Sequence, residues 1–231
     1  MQFQGFSQEG SKFLKSLRNN NSKEWFENNR HIWQKTIQEP NISFVEDMGE
    51  TLQILVPNIK FNPKVSASLF KIYRDVRFSK DKTPMKSKIG LLFWQGNGHR
   101  MQSSSFYMHY TADDYFMAAG IRNFKAPMLK TYREYLLNER NRNSLHKIIE
   151  ELKGKGYFIP DSKFKRVPKI FTGDESHIYL TLFNSMFSYI EFKMNDDFYK
   201  EEFIDKAFKI YDDMKDIQEW VYEMTLTNKE Q

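Results

Sequence analysis

The chain has 231 residues, with 35 Lys and Arg against 30 Asp and Glu, and a formal net charge of +5. It contains no cysteine, which excludes disulfides, thiolate catalysis and Cys-ligated zinc, while its 21 Phe, 12 Tyr and 4 Trp argue against disorder. The longest stretch without a charged side chain, Ser176–Ile190, is shorter than the ~20 residues of a membrane-spanning helix, and no secretory signal is visible, so we expect a cytoplasmic globular protein.

Residues 1–57 are predicted to be helical. Ser7 precedes a short apolar stripe, and Ser22 is a suitable N-cap for a second helix, on which the apolar side chains recur at the helical period. Pro40 is predicted to interrupt or restart this helix. A third apolar stripe ends at Pro57.

Residues 66–122 change period and are predicted to form a β-meander. Alternating or continuously apolar runs predict strands, and the turn Ala112–Asp114 predicts a hairpin. Short connections between consecutive strands favour antiparallel pairing. The predicted strands are residues 69–75, 89–94, 106–111 and 115–121.

Residues 126–231 are predicted to be helical again, with one late strand. The predicted elements are a helix from Pro127, a helix capped by Ser144, a helix from Asp174 through Phe187, a strand at 189–194 and a long helix from Asp197 to about Met224. No repeat or linker divides the chain. We therefore expect one α+β domain over residues 1–231, with helices packed on a mostly antiparallel sheet of four to six strands.

The charge excess is confined to residues Lys71–Lys88, which we call the basic segment. Seven cations and two carboxylates lie there, so this segment accounts for the entire net charge of +5 and the rest of the chain is neutral. A neutral protein with one basic segment indicates a local site for an anion.

The basic segment also resembles the signature of the domain-of-unknown-function family numbered 2461. The resemblance is carried by Arg74-Asp75, Arg77-Phe78-Ser79, Asp81-Lys82-Thr83-Pro84 and the following Lys86. Residues 20–26 and 165–169 are similar to two further blocks of that family, so the resemblance covers most of the chain. It implies a single α+β domain and supplies no activity, cofactor or substrate, which leaves an enzymatic role open. The departures are Lys71 in place of Arg, Met85 in place of Tyr and Ile170 in place of Gly.

The side chains of the basic segment suggest how an anion would be held. A strand end and a turn would bring together the guanidinium and ammonium groups of Arg74, Arg77, Lys82 and Lys86. Three further residues of the segment would orient these groups: Asp75, Ser79 and Asp81. In the alternative, these cations only pair with Asp75 and Asp81 and fasten the loop to the sheet.

Other chemistries have less support in the sequence. Ser79 as a nucleophile would need His99 or His109 close to it in space, so a hydrogen-bonding role is the better hypothesis. The five histidines show no metal-ligand spacing, and we expect neither a metal nor a cofactor. The aromatic residues of the predicted sheet are interpreted as core rather than as platforms for stacked bases: Trp94, Tyr107, His109 and Tyr115.

Three functions stay open at this point. The leading hypothesis is a protein that binds a small phosphorylated or carboxylated ligand. This hypothesis includes an enzyme that acts on such a ligand. The second is a nucleic-acid-binding module, in which further cations extend the basic segment into a track: Arg100, Arg122, Lys125, Lys165, Arg166 and Lys169. The third is an interaction or structural domain whose basic segment only stabilises the fold. The sequence does not indicate an oligomeric state.

Overall fold

A computed structural model describes residues 2–227. The helices are α1 (Gln8–Asn19), α2 (Lys23–Asn28), α3 (Arg30–Trp33), α4 (Glu39–Leu52), α5 (Ala126–Tyr135), α6 (Glu139–Gly154), α7 (Phe203–Asp213) and α8 (Lys215–Leu226). The strands are β1 (Ile59–Lys60), β2 (Ile89–Gln95), β3 (Ser105–Tyr110), β4 (Asp114–Ile121) and β5 (Met186–Lys193).

The five strands form one antiparallel sheet in the order β1-β2-β3-β4-β5. The first five residues of β2, Ile89–Phe93, are all buried, as is typical of a strand covered on both faces. Helices before, between and after the strands complete the fold. The predicted α+β class, with a mostly antiparallel sheet of four to six strands, is confirmed.

The contacts divide the chain into two compact units. Unit 1 comprises residues 1–93, 107–117 and 191–210, and unit 2 comprises residues 94–106, 118–190 and 211–231. The chain passes from one unit to the other within β2, β3, β4, β5 and α7. The single-domain organisation stays a prediction.

The N-terminal helices begin where the sequence predicts. The Ser7 hydroxyl accepts a hydrogen bond from the Gly10 amide at 3.2 Å, and the Ser22 hydroxyl accepts one from the Trp25 amide at 3.1 Å. Such caps satisfy amides that have no partner within the helix. Before Pro40 the chain forms a π-helical turn, Gln34–Gln38, and the helix then continues as α4 with the proline in its first turn.

The predicted strand at residues 69–75 is wrong. This stretch makes two isolated antiparallel bridges instead, one between Leu69 and Leu91 of β2 and one between Tyr73 and Met85. The backbone partner of this stretch changes after Phe70, from β2 to residues 84–86, so no continuous ladder forms. The two-residue strand β1 has no sequence pattern of its own and was not predicted.

The last third differs from its prediction in three places. The predicted helix from Asp174 through Phe187 is wrong, because His177 has a left-handed backbone (φ 54°), only a 3-10 turn follows, and β5 already begins at Met186. Ser144 does not cap a helix, since α6 begins five residues earlier, where the Asn138 side chain accepts from the Arg140 amide at 2.9 Å. The long C-terminal helix is divided into α7 and α8.

Gly120 in β4 provides a test of the contact between β4 and β5. Its φ is +123°, and a Cβ atom there would lie 2.2 Å from the carbonyl oxygen of Met186. We expect Gly120→Ala to lower the free energy of unfolding by roughly 2 kcal/mol or more, because it adds backbone strain and a clash with a strand. Denaturant unfolding of the purified variant measures this.

The matched control is Gly154→Ala, at the last residue of α6. A Cβ atom there meets nothing within 4 Å. The free energy of unfolding of Gly154→Ala should equal that of the wild type or exceed it by up to about 1 kcal/mol, because alanine favours helix over glycine. Equal losses in the two variants would contradict the close approach at Gly120.

Candidate functional site

The basic segment is folded back on itself. The Arg74 amide donates to the Pro84 carbonyl and the Lys86 amide donates to the Ile72 carbonyl, both at 2.8 Å. Residues 72–74 therefore run antiparallel to residues 84–86, and residues 75–83 form the loop between them. The side chains of Arg74 and Lys86 thus leave adjacent stretches of backbone.

Asn21 attaches the turn between α1 and α2 to this segment. Its side-chain nitrogen donates to the Met85 carbonyl at 3.0 Å, and its side-chain oxygen accepts from the Met85 amide at 2.9 Å. The side-chain amide therefore pairs with Met85 as a neighbouring strand would. This contact brings the end of α1, with Arg18, to the basic segment.

Arg74 is held in place by the loop. Its Nη1 donates to the Asp81 carboxylate and to the Thr83 hydroxyl. The Asp81 carboxylate in turn accepts from the Thr83 amide at 2.9 Å and from the Thr83 hydroxyl at 2.8 Å, which forms the turn predicted at Asp81 and Thr83. The Arg74 side chain is only 27% exposed, so its guanidinium has a fixed direction.

Both carboxylates of the loop are stabilised in the ionised form. The Arg74 guanidinium, helped by the Thr83 amide, lowers the pKa of Asp81 to about 2. Hydrogen bonds from Arg77 lower the pKa of Asp75 and raise the pKa of Arg77 itself. Carboxylates with lowered pKa values are weak proton acceptors near neutral pH.

A cleft of about 600 Å³, which we call the basic cleft, lies between the turn after α1 and the basic segment. Four cations and two carboxylates are among its lining residues, and the size is that of a small-molecule site. All of these residues belong to unit 1. The lining residues are Arg18, Asn21, Arg74, Asp75, Asp81, Thr83, Met85, Lys86, Ser87 and Lys88.

The structure brings together only part of the predicted site. Arg74, Asp75, Asp81 and Lys86 line the basic cleft. Arg77, Lys82 and Ser79 are not among its lining residues.

The contacts of these three residues explain their position. The Arg77 side chain is 77% exposed and forms a two-pronged contact with Asp75, at 2.9 and 2.7 Å. The Lys82 ammonium donates to the Val76 carbonyl at 2.9 Å, not to Asp81. The Ser79 amide donates to the same carbonyl, and among residues 2–227 the Ser79 hydroxyl makes no hydrogen bond to a histidine. The nucleophile hypothesis therefore gains no support.

Six lining residues were not assigned to the site from the sequence: Arg18, Asn21, Thr83, Met85, Ser87 and Lys88. Lys88 lies within the basic segment, so its charge was the available signal. Arg18 and Asn21 are distant in sequence and carry no local signal, because only the contact with Met85 brings them to the cleft. Arg18 also donates to Asp113 at 2.7 Å.

The aromatic residues of the sheet are engaged in packing. Tyr115 is fully buried and stacks on Phe192 and Phe198, so its assignment to the core is confirmed. The half-buried rings of Tyr107 and His109 both pack on Phe116. Trp94 is half-buried and lies in unit 2.

The described residues also bear on metal binding and on membrane insertion. Within residues 2–227, no three His, Asp or Glu side chains are grouped in a way that could hold a metal ion. No helix in the same range combines the length and the apolar composition needed to cross a bilayer.

Comparison with known proteins identifies a family. The model of the family described as conserved hypothetical protein (DUF2461) matches residues 9–220, from α1 into α8. This match includes the whole basic segment and every residue that lines the basic cleft. None of the curated proteins matches the chain.

The Asp81 contacts predict a specific response to acid. The folded state holds the pKa of Asp81 at about 2, below the ~3.9 of an unfolded chain. The associated stability is present above about pH 4 and is lost as the pH falls from about 4 toward 2. We expect Asp81→Asn to flatten the decline of the unfolding free energy in this range, measured by denaturant titration at a series of pH values.

Arg74→Gln provides the second arm of this experiment. It leaves the Asp81 carboxylate in place but removes its main partner, so the pKa of Asp81 should return toward its ordinary value. The variant should show the same flattened pH dependence. A wild-type slope in both variants would contradict the assigned ion pair.

Proposed function

The chain belongs to the DUF2461 family, and we propose that it binds a small anion, bearing a phosphate or a carboxylate, in the basic cleft. The family description names no ligand. The proposal therefore rests on the side chains of this chain alone.

One observation carries the proposal: more cations than carboxylates line the cleft. Arg18, Arg74, Lys86 and Lys88 line it, with only Asp75 and Asp81 as carboxylates. The Lys88 side chain is exposed, and among residues 2–227 it has no ion pair or side-chain hydrogen bond. Cations held this close repel one another, and a bound anion would relieve that repulsion.

The donors of the cleft suit an anion. Arg74 uses only Nη1 in its contacts with Asp81 and Thr83, and Arg18 uses only Nη2 in its contact with Asp113. Each guanidinium therefore retains N–H groups for a ligand oxygen. A fixed guanidinium with a movable ammonium is a common combination in the binding of phosphate and carboxylate.

A second cleft of unit 1 has the opposite charge. It measures about 520 Å³ and its ionisable lining residues are Asp47, Glu50, Glu201, Glu202 and Asp205. An anion is repelled there and attracted to the basic cleft. This contrast supports a specific anion site over a general attraction of anions to a cationic protein.

A small ligand needs none of the cations that would form a nucleic-acid track. The six cations that would extend the basic segment into a track all belong to unit 2: Arg100, Arg122, Lys125, Lys165, Arg166 and Lys169. The basic cleft is complete within unit 1. The lowered pKa values of its two carboxylates favour binding over acid–base catalysis by these groups.

The proposal predicts stabilisation by anions. At a hundredfold excess over its dissociation constant, a ligand adds ~2.7 kcal/mol to the free energy of unfolding. We expect inorganic phosphate at that excess to raise the melting temperature by about 5 to 10 °C above a chloride solution of equal ionic strength. Lys88→Gln should reduce this shift and weaken phosphate binding in calorimetry.

Lys80→Gln is the matched control. It removes the same charge from an exposed position of the basic segment that does not line the cleft. Its phosphate response should equal that of the wild type. No phosphate-specific shift in the wild type, or equal losses in the two variants, would refute the proposed site. Oligonucleotide binding that weakens steeply with salt would favour the nucleic-acid alternative.

A further inference from the structure

The basic cleft presents acceptors as well as donors. Asp75 directs two oxygens at Arg77: Oδ1 accepts from the amide at 3.3 Å and from Nε at 2.9 Å, and Oδ2 accepts from Nη2 at 2.7 Å. A carboxylate oxygen has two acceptor positions. Oδ2 of Asp75 therefore keeps one of them for a further donor.

Asp81 shows the same pattern. Its Oδ1 accepts from the amide and the hydroxyl of Thr83, and its Oδ2 accepts from Arg74. One acceptor position of Oδ2 is again available. Both carboxylates line the cleft and both are ionised, so neither can donate a proton to a ligand.

A bare anion gains nothing from these two carboxylates. They repel it, and they offer no hydrogen bond to its oxygens. A ligand that uses them must carry hydroxyl or amine donors in addition to its anionic group. The cleft, at about 600 Å³, is also larger than one phosphate group requires.

The geometry points to a phosphorylated polyol, such as a sugar phosphate, as the ligand class of the basic cleft. This inference rests on the proposed anion site. The phosphate would contact Arg74 and Lys88, and hydroxyl groups would donate to Asp75 and Asp81. Hydrogen bonds from hydroxyls to carboxylates are charge-assisted and therefore stronger than those between neutral groups.

The first experiment compares three probes by calorimetry on the full chain: inorganic phosphate, ribose 5-phosphate and ribose. We expect ribose 5-phosphate to bind about tenfold or more tightly than phosphate, and ribose to bind most weakly. If neither phosphate nor ribose 5-phosphate binds, the proposed anion site itself fails. If both bind equally, the anion site stands and the polyol inference fails.

The second experiment changes Asp75 to Asn. The variant removes a negative charge from the cleft, so phosphate should bind more tightly than to the wild type. It also removes a charged acceptor, so the advantage of ribose 5-phosphate over phosphate should fall by about tenfold. The lost charge strengthens the binding of both ligands, whereas the lost acceptor weakens only the binding of ribose 5-phosphate. The ratio of the two dissociation constants therefore isolates the hydroxyl contact.

Asp196→Asn is the control for charge. It lies in unit 1, is exposed, and does not line the cleft. Its ratio of dissociation constants should equal that of the wild type, and melting curves verify that both variants are folded. Equal tightening of phosphate and ribose 5-phosphate in Asp75→Asn would overturn the inference, because Asp75 would then act only through its charge.

Discussion

The pairing of the Asn21 side chain with the Met85 backbone is the contact on which the candidate site depends. It joins the turn between α1 and α2 to the basic segment through two hydrogen bonds of 3.0 and 2.9 Å. The Met85 side chain beside them is only 1% exposed. A backbone group left unpaired in such surroundings costs about 1–3 kcal/mol. This contact is what brings Arg18, at the end of α1, to the same cleft as Lys86.

Two ion pairs form within the basic segment. Arg77 pairs with Asp75 two residues away, and Arg74 pairs with Asp81 across the loop. Exposed ion pairs of this kind contribute little to the free energy of unfolding. Their effect is on geometry: one pair fixes Arg74 at the cleft, and the other holds Arg77 against Asp75.

The predictions from sequence succeed where the cause is local. Ser7 and Ser22 cap helices because their hydroxyls reach amides three residues away, and Asp81 forms its turn with Thr83 two residues away. Arg74 and Lys86 were expected together because a strand end and a turn would join them in a segment of high charge density, and both line the cleft.

The predictions fail where distant parts of the chain decide. Residues 69–75 alternate like a strand, but their bridges go first to β2 and then to Met85. The apolar stretch before Phe187 was predicted as helix, yet Phe187 belongs to β5 beside β4. Arg18 reaches the cleft through a contact that no local pattern encodes, and Arg77 is absent from its lining because Asp75 holds it.

The π-helical turn Gln34–Gln38 has a consequence for how the N-terminal helices tolerate change in length. A π turn holds one residue more than an α turn. Loss of one residue there would close a regular α turn and keep α4 in phase with α3, whereas a deletion within α4 would rotate every later side chain by about 100°. A one-residue deletion should therefore be tolerated better at this turn than within α4, although Thr36 and Ile37 of the turn are buried.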